Sequence, residues 1–255
     1  MASGQRWSRE ELLVAFRLYC HTPFGKLHQR NPAIIDLARL LSRTPSALAM
    51  KACNFASFDP VHRERNVKGL ANVSAGDRAV WEEFILQPDQ IAIEAEMALA
   101  QFAMDQRDEV VEPFHVPEGP SEVVRTIQQR RLQSFFRKAV LASYEYRCAL
   151  TGLTVQPLLN ASHIVPWSVK ESRRADPSNG ILLNALHDRA FDRGLITFDE
   201  SNQVVVSTRL RTKAACTFQA ITLLDFEGAP LARPHRFAPD PEAMAYHRTH
   251  VFLTD

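Results

Sequence analysis

A proline-rich acidic segment at residues 108–120 constrains the fold of this 255-residue chain more than any other sequence feature. The segment contains three prolines and one glycine, residue types that interrupt helices and strands. It is therefore predicted to be a linker between a domain at residues 1–107 and a domain at residues 121–255. A chain of this length can form two hydrophobic cores.

Before the linker, the sequence predicts an all-α domain. Ser8 and Glu11 have the spacing of a capping box at the start of a first helix. Apolar residues continue with helical spacing, and a further helical stretch is expected over residues 76–107, with a break at Pro88.

Two of the short helices in this domain resemble a helix-turn-helix. A helix over residues 33–41 is followed by a short polar turn, and Thr44-Pro45 has the composition of a new helix start. In a helix-turn-helix, the second helix would present Lys51 and Asn54 to DNA. An ordinary helical hairpin is the alternative, because many all-α domains share this pattern.

After the linker, a long helix is predicted from about residue 121 to residue 146. From Cys148 onward the sequence changes to short strands, turns and one short helix. The fold class is therefore predicted as α+β, with a helical N-terminal domain and a mixed C-terminal domain.

The net charge of +1 is a sum of unlike parts. Residues 1–107 have 13 basic and 12 acidic side chains, and residues 108–123 have five acids and no Lys or Arg. Residues 124–255 have 17 basic and 12 acidic side chains. The basic C-terminal part keeps a nucleic-acid partner in consideration despite the near-neutral total.

Composition also predicts where the protein resides. No apolar run reaches the roughly 18 residues of a membrane span, and the N-terminal residues lack the pattern of a secretory signal. The four cysteines are far apart and form no CxxC pair. A cytoplasmic protein without membrane contact, disulfides or a structural zinc ion is therefore expected.

Residues 158–194 carry the residues that suggest chemistry. His163 ends a predicted short strand, and Pro166 blocks its extension. A second short strand, Ile181 to Leu183, leads into a helix with His187 one turn inside it, and Asn179 precedes that strand. Phosphodiester hydrolysis needs a base, a cation to neutralise the phosphate, and a group that orients the base, and two histidines with an asparagine can supply these parts.

The order of these blocks resembles the HNH endonucleases, which have the ββα-metal fold. Ser-His-Ile-Val-Pro-Trp at residues 162–167 resembles the first block, Asp-Pro-Ser-Asn-Gly-Ile-Leu-Leu at 176–183 the second, and Leu-His-Asp-Arg-Ala-Phe-Asp-Arg-Gly at 186–194 the third. The flanking segments at 136–152 and 246–248 resemble a bacterial restriction-type subfamily. The resemblance extends over about residues 125–250.

The resemblance implies a role for each residue of the motif. His163 would be the general base, Asn179 would brace the loop that positions it, and His187 would hold one divalent ion. Magnesium or manganese is expected, with nickel or zinc as alternatives. Many relatives have an acidic or histidine ligand before the base, where this chain has Ser162, so Ser162, Asp188 and Asp192 are the further candidate ligands.

The function expected from this resemblance is metal-dependent cleavage of double-stranded DNA, in restriction or defence against foreign or modified DNA. A homodimer is one arrangement that would allow a coordinated double-strand cut. Basic residues near the motif are candidates for phosphate contacts: Lys170, Arg173, Arg174, Arg189 and Arg193. The alternatives are a DNA-binding regulator with a degenerate, non-cutting finger, and an effector that cuts DNA only after a trigger.

Overall fold

The computed structural model describes residues 6–65, 73–105, 122–211 and 216–254. Its contacts divide the chain into two units, Met1–Phe135 and Phe136–Asp255. The division falls inside a long helix, α7, Glu122–Ser143. The predicted linker at 108–120 lies outside the described residues, so the predicted domain limits stay a prediction.

The first unit is helical throughout its described part. Its helices before α7 are α1 Arg9–His21, α2 Pro32–Leu40, α3 Pro45–Asn54, α4 Pro60–Glu64, α5 Ala75–Leu86 and α6 Pro88–Asp105. The predicted capping box is present, since Ser8 accepts a hydrogen bond from the Glu11 amide and Glu11 accepts one from the Ser8 amide. Thr44 likewise caps α3, and the helical stretch breaks at Pro88 as expected.

Aromatic side chains form the centre of this unit. Phe16 on α1 is fully buried, with its ring centroid 5.1 Å from that of Phe55 and 4.7 Å from that of Phe84. Helices α2 and α3 pack on each other across residues 41–44. This pairing is compatible with a helical hairpin as well as with a helix-turn-helix, and the DNA-binding version stays a prediction.

The second unit combines helices with two small antiparallel sheets, which confirms the α+β class. Strand β1, Leu159–His163, pairs with β2, Gly180–Asn184, and helix α8, Ala185–Asp192, follows β2 directly. Strand β3, Ile196–Phe198, pairs with β4, Val204–Val206. Helices α9, Thr217–Thr222, and α10, Pro241–His250, complete the described elements.

The apolar core of this unit fixes the β1–β2–α8 arrangement. Leu159, Ile181, Leu182 and Leu183 are buried together with Phe191 on α8. Gly194 ends the α8 turn with φ +67°, and a Cβ there would collide with the Val251 carbonyl. Within the described residues, no helix is long and apolar enough to cross a membrane.

Candidate functional site

His163 is the last residue of β1, and the aromatic ring of Phe136 on α7 stacks on its imidazole. The two ring centroids are 3.7 Å apart with an interplanar angle of 13°. Gly180 lies opposite His163 in the strand register. A Cβ at Gly180 would lie 2.8 Å from Phe136 Cζ and 2.6 Å from Val140 Cγ2, so only glycine leaves room for this stack.

One hydrogen bond sets the tautomer of His163. Its Nε2 lies 3.0 Å from the carbonyl oxygen of Arg174, which can only accept, so Nε2 carries the proton and donates it. Nδ1 is then the acceptor of the ring. Burial lowers the pKa of His163 below its usual value, against the opposing effects of the Arg174 carbonyl and of the Asp176 and Asp188 carboxylates. The imidazole is therefore neutral at neutral pH, as a general base requires.

Asn179 holds the loop that supplies this carbonyl. Its side-chain oxygen accepts from the Val165 amide at 2.8 Å, and its Nδ2 lies 3.2 Å from the Val165 carbonyl and 3.4 Å from the Arg173 carbonyl. The backbone amide of Ile164 also donates to the Asn179 carbonyl at 2.9 Å. Both ends of the loop between His163 and Arg174 are thus attached to one buried side chain.

A polar cluster lies between β1 and α8, and the charge of its Asp188 carboxylate acts on His163. Asn160 and Ser162 alternate along β1 and therefore share a face. Asn160 Nδ2 donates to Asp188 Oδ2 at 2.7 Å, and the Ser162 hydroxyl donates to Asp188 Oδ1. The strand thereby orients both oxygens of the Asp188 carboxylate.

Asp192 is one helical turn beyond Asp188. Although the residue is exposed, partial shielding of its carboxyl group from water raises its pKa, and the Asp188 charge raises it further. Arg189 and Arg193 act in the opposite direction. The two carboxyl groups are therefore close enough for the charge of Asp188 to act on Asp192.

His187 is engaged by a different set of residues. It is 2% exposed, its Nδ1 accepts from Asn184 Nδ2 at 2.9 Å, and its Nε2 donates to the Thr222 carbonyl at 2.8 Å. Its ring also packs edge-on against Phe226, with the centroids 4.7 Å apart. The predicted metal-binding role of His187 is not the one that this placement favours, because both ring nitrogens already have protein partners.

The second unit thus contains two paired strands followed by a helix. A histidine ends the first strand, and an asparagine that braces the adjoining loop precedes the second. Residues 148–199 match the HNH endonuclease family model. The match covers about a fifth of the chain and contains all three predicted blocks, and we call these residues the HNH segment. Comparison with curated proteins gave no match. The resemblance to HNH endonucleases is confirmed for this segment, whereas the restriction-type subfamily stays a prediction.

The basic side chains near the HNH motif differ in their availability to DNA. Lys170, Arg189 and Arg193 are exposed. Arg173 bridges Asp176 at 2.9 Å and Asp240 at 2.5 Å, with only 13% of its side chain exposed. The first three therefore stay candidates for phosphate contacts, whereas Arg173 has a structural role.

Arg174 also shapes the loop of the HNH segment. Its Nε donates to the Trp167 carbonyl at 3.2 Å, and its guanidinium lies over the Trp167 ring, 4.9 Å from the centroid. It pairs as well with Glu171, at 3.2 Å. These contacts fix the Arg174 backbone, whose carbonyl orients His163, so its role in DNA contact is not favoured by this placement.

In the helical unit, Lys51 and Asn54 face the interior. Lys51 Nζ lies 3.0 Å from Asp77 Oδ1, and Asn54 Nδ2 donates to Asp77 Oδ2 at 3.0 Å. Asn54 is 6% exposed and Asp77 is fully buried. The predicted DNA contacts of Lys51 and Asn54 are not supported by this placement, because both side chains hold α3 to α5.

Sequence reasoning missed three contributors to the HNH site. Phe136, Asn160 and the Arg174 carbonyl each orient a side chain of the site. The alternation of Asn160 and Ser162 along β1 was a signal that could have identified Asn160. The Arg174 carbonyl has no side-chain signature, so no residue pattern indicates it.

Proposed function

We propose that this protein is a divalent-metal-dependent DNA endonuclease in which His163 is the general base. The observation that carries the proposal is the neutral His163 imidazole, oriented through Nε2 by the Arg174 carbonyl and adjacent in sequence to a serine that holds Asp188. A base with a fixed tautomer, within the electrostatic influence of an oriented carboxylate, is an arrangement suited to water activation at a phosphodiester.

The residues near His163 fit a magnesium or manganese ion. Asp188, Asp192 and Ser162 offer oxygen atoms, the donors that these ions prefer. In the described part of the chain, no three His, Cys, Asp or Glu side chains come together as a ready-made metal cage. Magnesium is often held by one or two carboxylates with water and substrate phosphate completing its shell, and this site matches that type.

In the proposed reaction, Nδ1 of His163 accepts a proton from water as the water oxygen attacks phosphorus. The bond from phosphorus to the 3′ oxygen breaks, which leaves a 5′-phosphate end. The resulting imidazolium is stabilised by the Arg174 carbonyl and by the Asp176 and Asp188 charges, the same groups that oppose the lowering of the His163 pKa. A bound divalent ion would neutralise charge on the scissile phosphate and on the departing oxygen.

Asn179 and Phe136 keep His163 in place during this reaction. Asn179 fixes the loop that ends at the orienting carbonyl, and Phe136 covers one face of the ring. Exposed Lys170, Arg189 and Arg193 would bind the DNA backbone without reading sequence. Restriction of foreign or modified DNA is the biological context that we propose, based on the resemblance to restriction-type relatives.

The decisive experiment compares His163→Ala with wild type on supercoiled plasmid in Mg²⁺ or Mn²⁺. We expect cleavage to fall by about 100- to 10,000-fold while DNA binding is retained. His28→Ala, an exposed histidine of the helical unit, is the matched control. Equal cleavage by His163→Ala and wild type would overturn the proposal. Plasmids with defined methylation or hydroxymethylation would then test the restriction context.

A non-cutting DNA-binding regulator is the second candidate. The observation in its favour is that the described residues contain no three-ligand metal group. This candidate predicts DNA binding without cleavage by the wild-type protein in Mg²⁺, Mn²⁺, Ni²⁺ and Zn²⁺. Cleavage in any of these ions that depends on His163 rejects it.

A further inference from the structure

Four side chains that the proposed reaction does not use form one hydrogen-bonded cluster in the HNH segment. They are Cys148, Thr151, Asn184 and His187, which we call the clasp. Asn184 Nδ2 lies 3.4 Å from Thr151 Oγ1 and 2.9 Å from His187 Nδ1. The Asn184 backbone amide lies 3.2 Å from Cys148 Sγ.

The thiol of Cys148 is the fourth member of this cluster. Burial raises its pKa, but hydrogen bonds with His187 and Thr151 reverse the effect and bring it to about 7. Cys148 and His187 are each 2% exposed. The cluster therefore extends from buried Cys148 and His187 through half-buried Asn184 to Thr151, which is exposed.

The clasp joins three segments of the chain at the start of α8. Cys148 and Thr151 come from the turn after α7, and Asn184 and His187 come from the junction of β2 and α8. His187 Nε2 also donates a hydrogen bond to the Thr222 carbonyl, at the end of α9. Asn184 also caps α8, since its side-chain oxygen accepts from the Leu186 and His187 amides.

Asp188 directly follows His187 in the first turn of α8. Any shift or rotation of this turn would move the Asp188 carboxylate away from Asn160 and Ser162. The clasp attaches this turn to residues 148 and 151 and to the end of α9. The clasp can therefore influence the position of the Asp188 carboxylate through the first turn of α8.

We propose that Cys148, Thr151, Asn184 and His187 act together as a metal-free clasp that sets the position of Asp188, with His187 as a positioning residue. The importance of Asp188 rests on the proposed nuclease function, whereas the clasp itself does not. The experiments below separate the two, because zinc content and melting temperature are measured without DNA.

The spacing of the clasp provides its most direct test. Cys148 and Thr151 are three residues apart, as are Asn184 and His187, which is the spacing of two ligand pairs in a tetrahedral zinc site. The first pair already contains one zinc-binding residue type, Cys148, and the second pair contains another, His187. If the four side chains converge as the structure shows, Thr151→Cys with Asn184→Cys converts the clasp into a Cys3His zinc site.

We expect the full-length double variant to retain one zinc ion per chain after dialysis against a weak chelator, and to melt at a higher temperature with zinc than without it. Wild type and the two single variants, which have the same other cysteines, should lose zinc. Adding His187→Ala to the double variant should abolish the retention of zinc. A folded double variant that retains no more zinc than wild type would overturn the proposal.

A second measurement tests the positioning role. Thr151→Val removes the contact between Thr151 and Asn184, and Asn184→Ser removes both contacts of the Asn184 NH2 group while serine preserves the cap at position 184. Each should lower the melting temperature by about 3 °C and reduce cleavage at saturating Mn²⁺, and we expect the same of His187→Gln. Thr151→Ser retains the hydroxyl and should restore both properties. If His187→Gln changes only the Mn²⁺ requirement while Thr151→Val leaves cleavage intact, His187 is a metal ligand and the clasp proposal fails.

Discussion

Replacing Asn179 by aspartate tests the brace of the His163 loop most sharply, because the two side chains have the same shape. The substitution preserves the oxygen that accepts from the Val165 amide at 2.8 Å. It replaces the NH2 group, 3.2 Å from one carbonyl and 3.4 Å from another, with a second oxygen that cannot donate when ionised. Asn179 is buried, so water cannot compensate.

The size of the effect follows from these contacts. Two lost hydrogen bonds cost about 1 kcal/mol each, and burial of a carboxylate facing carbonyl oxygens adds to that cost, for a total of about 3 kcal/mol. The melting temperature should fall by roughly 10 °C. Displacement of the orienting Arg174 carbonyl by about 1 Å should reduce cleavage by about 100-fold.

The assay pairs thermal unfolding with single-turnover cleavage of supercoiled plasmid at saturating Mn²⁺. Asn202→Asp is the control, since Asn202 is exposed in a turn and its substitution should change stability by less than about 0.5 kcal/mol. If Asn179→Asp matches the control in both stability and cleavage, the side chain does not brace the loop and the assignment is wrong.

Other predictions follow from single contacts. Because burial lowers the His163 pKa, the acid limb of the cleavage pH profile should lie below pH 6.5, the usual value for histidine, and a limb above it would contradict the neutral base. Asp188→Asn should raise the Mn²⁺ concentration for half-maximal cleavage by about 10-fold, measured by metal titration. Burial lowers the pKa of His247 to about 4, so its folded-state pKa lies below the unfolded value. Its contribution, about 3 kcal/mol, is present above pH 6.5 and lost as the pH falls toward 4, and His247→Gln should flatten that slope in denaturant unfolding. Lys51→Ala should destabilise the helical unit by about 3 kcal/mol because it leaves Asp77 buried without a cation, yet leave the salt dependence of DNA binding unchanged.

Local sequence signals predicted the elements of the fold well. Ser8 and Thr44 each begin a helix through the side-chain cap that the sequence predicted, and such caps depend on two to four adjacent residues. The strand ending at His163 followed from a short apolar run closed by Pro166. The short sheet β3–β4 and helix α10 were not predicted as elements, because their three-residue strands and weak apolar periodicity give little local signal.

Some predicted DNA contacts are not supported by the positions of the side chains, and the reason lies in contacts between residues far apart in the sequence. Lys51 was expected on an exposed helix face because charged side chains are usually solvated. Its partner, Asp77, is 26 residues away on α5, and no local pattern indicates that a buried carboxylate lies there. Arg173 is a similar case, since its partner Asp240 is distant in the sequence. Long-range ion pairs decide whether a basic residue is available to DNA.

Which of the predicted ligands His187 and Asp188 we propose to face a metal ion depends on the face of α8 that each residue occupies. Consecutive residues on an α-helix point about 100° apart, so a His-Asp pair offers two candidate ligands on different faces. Positions 187 and 191 share the inward face, where Phe191 is fully buried. Positions 188 and 192 share the other face, and both are aspartates. The polar residues of β1 decide between the faces, since Asn160 and Ser162 bind Asp188. Asp188 and Asp192 are therefore four residues apart on the face that meets β1, and this shared face is the reason why we propose them, rather than His187, as the oxygen ligands of α8.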